Sequence, residues 1–407
     1  MKWRPDLPRL SAISRRVAFA VSVAVLVAGL GSGGAGTSGL GTAAARQLAP
    51  SASAAGTPPS GGGSIGPPAQ PTKPTPQPQP KPTGSSLAKD LGQLIVARFA
   101  GTAATRSILA AVRAGDVGGI ILFGDNTAGG VAATHALVKR LQLTAVNGGN
   151  PRLLILTDQE GGEVKRLPGP PGLAASRMGN PKVAGTQGRL TARLLRRAGV
   201  NVDLAPVADV TVVDGFMTRE HRTFGSGPAD VATAACAFAN SLAAAGVGYT
   251  LKHFPGLGDA VASTDDGAVS VGASASLLYR DEAAYRRCGA GRRALVMISS
   301  ASYRHLTGST PAVMSPATYR DALKSDGVDA VTISDDFQAQ ALADQTSPAR
   351  TAINAGLDMV MYGKTESAAV VAYQILDQDL RTGTLSASRV KAAAAKVRAL
   401  KQSLGLV

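Results

Sequence analysis

From residue 90 onward, short apolar runs rich in β-branched residues alternate with Ala- and Leu-rich stretches of helical spacing. Eight runs read as strands: Leu94–Phe99, Gly119–Phe123, Leu153–Thr157, Val202–Pro206, Tyr249–His253, Leu295–Ser299, Ala330–Ser334 and Met359–Tyr362. Between them the spacing predicts helices over Thr105–Ala114, Gln187–Ala198, Ala229–Ala245, Ser315–Ser325 and Pro348–Ala355. Strands that are apolar throughout, rather than alternating, are buried on both faces, as parallel strands covered by crossover helices are. Eight such units in about 320 residues fit an α/β fold closed as a (β/α)8 TIM-type barrel. An open doubly wound sheet is the less favoured alternative.

Charge qualifies this picture. The 407 residues hold 42 Lys and Arg against 27 Asp and Glu, a net charge of +15, which first suggests a polyanionic partner. Residues 1–85 contain eight basic residues and one acid, so 34 basic and 26 acidic residues remain beyond them. That body is only mildly basic, and no Lys/Arg block interleaved with aromatics occurs in it, so a nucleic-acid partner is not expected. Two cysteines and four histidines leave little material for a zinc module, and neither metal nor cofactor is expected.

Residues 1–45 read as export machinery. Arg15 and Arg16 precede the apolar run Val17–Leu30, and Ala43, Ala44 and Ala45 offer a cleavage site. An uncleaved membrane anchor through residues 17–30 is the alternative, although the run is short for a span. No cysteine follows the run, which excludes a lipoprotein anchor. Residues 46–85 are a linker, with eleven of the 24 prolines between Pro50 and Pro82; such a stretch is an extended spacer without a core. Residues 86–407 then form a single catalytic domain, expected to be a monomer located in the cell envelope or outside the cell.

Barrels of this kind gather their chemistry at the C-terminal ends of the strands. Asp158-Gln-Glu160 follows the third strand, Lys252-His253 ends the fifth, Asp335-Asp336 ends the seventh, and Arg222 lies in the loop after the fourth. Any one of these is explained by helix capping or a salt bridge. Convergent charge from several strand ends points to a pocket.

Four motifs occur in order: Thr157-Asp-Gln-Glu-Gly-Gly162, Arg222-Thr-Phe-Gly225, Lys252-His-Phe-Pro-Gly256 and Ile333-Ser-Asp-Asp-Phe337. Together with Gly118-Gly-Ile-Ile-Leu-Phe123, Asn126 and Ala355-Gly-Leu-Asp-Met359, the set resembles glycoside hydrolase family 3. The likeness is to its β-N-acetylglucosaminidase branch, which acts on cell-wall fragments, and covers roughly residues 86–407. The resemblance implies that Asp335 is the nucleophile of a retaining reaction and Asp336 only its neighbour. It also implies that Asp158, Arg166, Arg222, Lys252 and His253 clamp the sugar. Lys252 and His253 are adjacent, so the strand must bend for both to face one site.

The departures concern the proton donor. In this branch an Asp-Ser-His motif on a mobile loop supplies the general acid/base, and here those positions read Ser263-Thr-Asp265. Asp265 is therefore the candidate acid/base, with Asp266 as the alternative. Leu257 stands where a second histidine is usual, Ser299-Ser-Ala-Ser302 lacks another, and Glu163 replaces a common arginine. His135, His221 and His305 are remote in sequence.

Two functional expectations follow. One is a secreted retaining glycosidase that removes terminal β-linked N-acetylglucosamine from peptidoglycan-derived or related glycans. The other is a catalytically degenerate wall-glycan-binding or scaffold protein that keeps the clamp. Cys236 and Cys288, in helices after consecutive strands, either form a disulfide or remain two buried thiols.

Overall fold

The computed structural model describes residues 86–211 and 214–407. The expected signal and linker, residues 1–85, lie outside them. Eight parallel strands close into a barrel: β1 Ile95–Ala97, β2 Gly119–Leu122, β3 Leu154–Thr157, β4 Val202–Asp203, β5 Gly248–Phe254, β6 Ala294–Ile298, β7 Val331–Asp336 and β8 Met359–Met361. Each strand pairs with its neighbour in sequence, and β8 closes on β1 with Ile95 opposite Val360. The barrel expectation holds and the open sheet does not.

The period of two along each strand explains why the runs are apolar throughout. Val96, Ile121, Leu154, Leu156, Met297 and Ile333 point inward and fill the barrel. Ile95, Ala97, Ile120, Leu122, Ile155 and Val296 point outward into the layer beneath the helices. The base of the barrel is closed by the helix Ala387–Ser403, whose Val397 and Leu400 join the inner cluster. On that helix Lys401 is fully buried, donating to Gln93 Oε1 at 2.6 Å and Gly118 O at 2.9 Å. Burial pushes its ammonium down to about 7.

The helix predicted to begin at Gln187 instead spans Pro181–Ala198. Asn180 caps it through the Lys182 N–H, Pro181 occupies the first turn, and Gly199 ends it in the left-handed conformation. The stretch predicted as a helix over Ser315–Ser325 is wound as a π-helix over Thr318–Leu323, with Lys324 N–H reaching back five residues to Tyr319 O at 3.2 Å. Tyr319 lies on Gly356, where a Cβ would meet the ring at 2.5 Å. The two cysteines form a disulfide with a Cα–Cα distance of 5.8 Å, joining the helix Pro228–Ala244 to Ala283–Cys288.

Candidate active site

A cavity of about 610 Å³ opens at the C-terminal ends of the strands. Asp158, Arg166, Arg222, Lys252 and His253 line it, and so do Asp265, Asp266 and Asp335. Four strands and the loops after them, β3, β4, β5 and β7, therefore deliver these residues to one space.

Local structure explains the delivery. After β3, a hairpin pairs Gln159–Gly161 with Val164–Lys165 and brings Arg166 back toward Asp158. Gln159 staples this turn. Its side-chain oxygen accepts the Arg166 and Leu167 N–H groups at 3.1 and 3.0 Å, and its nitrogen donates to Leu167 O and Pro170 O at 2.8 Å each. On β5 the register with β6 shifts between Leu251 and Phe254. The Lys252–His253 peptide is cis, and both side chains line the cavity. Asp209 fixes this bend from below: its Oδ1 accepts the His253 and Leu257 N–H groups at 3.0 and 2.8 Å, and Oδ2 lies 2.8 Å from His253 Nδ1. Gly258 seats the following loop against Val210, whose carbonyl oxygen lies 1.7 Å from where a Cβ would stand.

The floor is a buried charge network. Lys252 Nζ lies 2.8 Å from Asp158 Oδ1 and 2.6 Å from Glu160 Oε1. Arg222 grips Glu160 through Nε and Nη2, and Arg166 approaches Asp158 at 3.6 Å. Burial pushes the Glu160 carboxyl up, but Lys252 and Arg222 outweigh it and hold it at about 2. Burial likewise disfavours the Lys252 cation, and Asp158 and Glu160 overcome this and raise it. Beneath them Asp203 is fully buried; burial pushes its carboxyl well above the usual range although Oδ1 accepts Gln159 N–H at 3.0 Å.

The acids on the opposite side differ in their ties. Asp336 is bound to backbone, its Oδ1 accepting Gln338 and Gly363 N–H at 3.0 and 2.8 Å. Asp335 accepts only the Asp336 N–H among the described residues, at 2.9 Å. The loop carrying Asp265 docks on the segment after β7, where Ala341 N–H donates to Thr264 O at 3.1 Å and Gln340 N–H to Asp265 O at 3.3 Å. Burial, then the charge of Asp335, pushes the Asp265 carboxyl up, while Lys364 opposes. Leu257 is buried in the cavity wall.

Asp209, Lys364 and Arg98 were not singled out in the sequence, and Glu160 was named at its strand end without a role. Glu160 stood inside a recognised motif, and its signal was an unmatched carboxylate beside a surplus of cations. Arg98 and Arg166 lie over the Phe123 ring at 4.8 and 5.4 Å, forming a cationic wall. Among the described residues, no group of three or more His, Cys, Asp or Glu side chains is arranged to hold a metal ion.

A parallel barrel whose mouth combines carboxylates with clustered lysine and arginine side chains is consistent with a (β/α)8 glycoside hydrolase. The glycosyl hydrolase family 3 N terminal domain matches residues 86–400. The chain belongs to glycosyl hydrolase family 3 and is β-hexosaminidase-like. It is 30% identical over 332 residues to an uncharacterized secreted glycosyl hydrolase of Arthroderma benhamiae, covering 78% of this chain and 94% of the relative. It is 31% identical over 272 residues to the beta-hexosaminidase LpqI of Mycobacterium tuberculosis, covering 63% and 70%. Among solved structures, the beta-N-acetylhexosaminidase of Beutenbergia cavernae superposes with a TM-score of 0.72 at 31% identity, over 78% of this chain and 99% of that one.

Proposed function

We propose that the chain is a secreted retaining glycosidase that removes terminal β-linked N-acetylglucosamine from peptidoglycan-derived or related glycans. The observation that carries this reading is the meeting of Asp335 and Asp265 in one cavity with the Asp158–Lys252 clamp. Asp335 attacks the anomeric carbon through its side-chain oxygen as the C1–O bond to the leaving group breaks. Protonated Asp265 transfers its proton to the departing oxygen. In the second step the Asp265 carboxylate takes a proton from water, whose oxygen attacks C1 and releases Asp335.

The clamp serves the same two steps. Asp158 accepts hydrogen bonds from sugar hydroxyls, and Lys252, Arg166, Arg222 and His253 supply donors around it. Asp265 is favoured over Asp266 because Asp335 is the largest charge acting on it, and a raised carboxyl keeps its proton longer. Secretion rests on the signal-like residues 1–45, with 46–85 as a spacer.

A chromogenic β-N-acetylglucosaminide assay tests the proposal. Wild type turns the substrate over and Asp335→Asn does not; equal rates overturn it. The exposure of Asp265 at the mouth favours a second reading, a glycan-binding protein without a working donor. That reading predicts binding of the sugar and no turnover by the wild type.

A further inference from the structure

In a parallel barrel, the C-terminal half of each helix and the connection after it lie toward the end opposite the active site. Four consecutive segments of this kind carry ten cations and no carboxylate. Residues 139–153, leading to β3, hold Lys139, Arg140 and Arg152; residues 193–201, leading to β4, hold Arg193, Arg196 and Arg197. Residues 240–247 are uncharged, and residues 286–293, leading to β6, hold two arginine pairs. The whole of residues 86–407 has 34 basic and 26 acidic side chains, a net charge of +8, so this arc alone exceeds the net charge of the body.

Cations at helix C-termini offset the helix dipole, which is the ordinary explanation for some of them. It does not explain the distribution. The corresponding segments leading to β7 and β8 carry Asp321, Asp326, Asp329 and Asp358 against one cation, Lys324. Few of the cations are used internally: among the described residues, Arg286 is the only one of the ten in an ion pair, Arg287 donates to Thr233 Oγ1, and Arg293 donates to Ser403 O and Ala243 O. Lys139, Arg140, Arg152, Arg193, Arg196 and Arg197 are all exposed.

A groove of about 490 Å³ runs along this arc, where the helices Gly130–Asn147 and Pro181–Ala198 meet. Lys139, Arg152 and Arg196 border it, and Leu143, Val146 and Leu406 supply an aliphatic wall. Leu143 and Val146 are 52% and 48% exposed. A soluble polyanion satisfies the cations but leaves the aliphatic side chains in water. A bilayer interface takes both, with phosphate headgroups meeting the arginines and the acyl boundary meeting Leu143 and Val146.

We propose that this basic arc at the base of the barrel docks on an anionic phospholipid bilayer, which leaves the active-site mouth facing away from the membrane. The proposal is independent of the substrate assigned above.

Cosedimentation of the full chain with phosphatidylcholine vesicles, with and without phosphatidylglycerol, tests it at low and high salt. The apolar run at residues 17–30 is present in every chain compared, so only differences between chains are read. Wild type is expected to bind the anionic vesicles far more tightly than the neutral ones, and salt should weaken that binding. R152E/R196E/R197E should lose at least about 100-fold, because each cation near such a surface contributes roughly 1 kcal/mol. The neutral R152Q/R196Q/R197Q should fall between the two, which guards against a folding defect in the reversed chain. L143S/V146S should bind several-fold more weakly with its salt dependence kept. Equal binding of wild type to both vesicles overturns the proposal, as does wild-type binding by both arginine variants. Wild-type binding by L143S/V146S also overturns it, because phosphate charge without contact to the acyl boundary then accounts for the affinity.

Discussion

Glu160 holds Arg222 through two parallel hydrogen bonds of 2.9 Å, from Nε to Oε2 and from Nη2 to Oε1. The pair is separated by 62 residues and joins the loop after β3 to the loop after β4. A planar guanidinium bound edge-on to a carboxylate has one orientation, so Glu160 sets the direction in which Arg222 faces the cavity. Lys252 completes the arrangement at 2.6 Å. Glu160 is thus a positioning residue beneath the clamp rather than part of it.

Glu160→Ala leaves two buried cations without their shared anion. Breaking a buried pair in this way costs about 3–5 kcal/mol, to be read from urea unfolding at neutral pH. A loss below about 1 kcal/mol would contradict the network's role. The sign of the pH dependence follows from the carboxyl being held at about 2. Its contribution is complete above the ordinary carboxylate range and disappears as pH falls from there toward 2, because the unfolded chain protonates first.

Asp265 as general acid makes a kinetic prediction. Its carboxyl is pushed up, and turnover needs the protonated form, so the basic limb of the kcat profile should lie above that of an ordinary aspartate. Asp265→Ala should lower kcat/KM by about 10²–10⁴ on a glycoside with a poor leaving group. Most of that loss should be recovered on one with an activated aryl leaving group, which needs no proton. Asp266→Ala should stay near wild type; the reverse pattern would exchange the two roles.

Lys401 makes a stability prediction of unusual sign. Burial holds its ammonium at about 7, below the free value of about 10.4. The unfolded chain then binds more protons between those values, so wild type gains stability relative to Lys401→Met as pH rises through that window. The slope approaches 1.4 kcal/mol per pH unit. Chemical unfolding of both chains from pH 6 to 10 checks this, and a difference independent of pH would refute it.

All eight barrel strands were legible in the sequence because two-sided burial makes each run apolar throughout. Helix boundaries were less so: Pro181 was missed because its signal is the Asn180-Pro181 cap, not hydrophobic spacing. The π-winding at Thr318–Leu323 has no period that a sequence reading captures. The residues named for the site came from motifs at strand ends, and the fold brings them into one cavity. Asp209 and Lys364 escaped notice, and Glu160 was left without a role, because their roles depend on partners distant in sequence. The disulfide was open for the same reason, since Cα separation across 52 residues is a property of the fold.

The central claim is a covalent intermediate on Asp335. Incubation with a slow fluorinated N-acetylglucosaminide analogue, followed by proteolysis and mass spectrometry, tests it directly. The prediction is one glycosyl adduct on the peptide containing Asp335, absent from Asp335→Asn. An adduct on another residue, or turnover of chromogenic substrate by wild type with no adduct trapped, would contradict it.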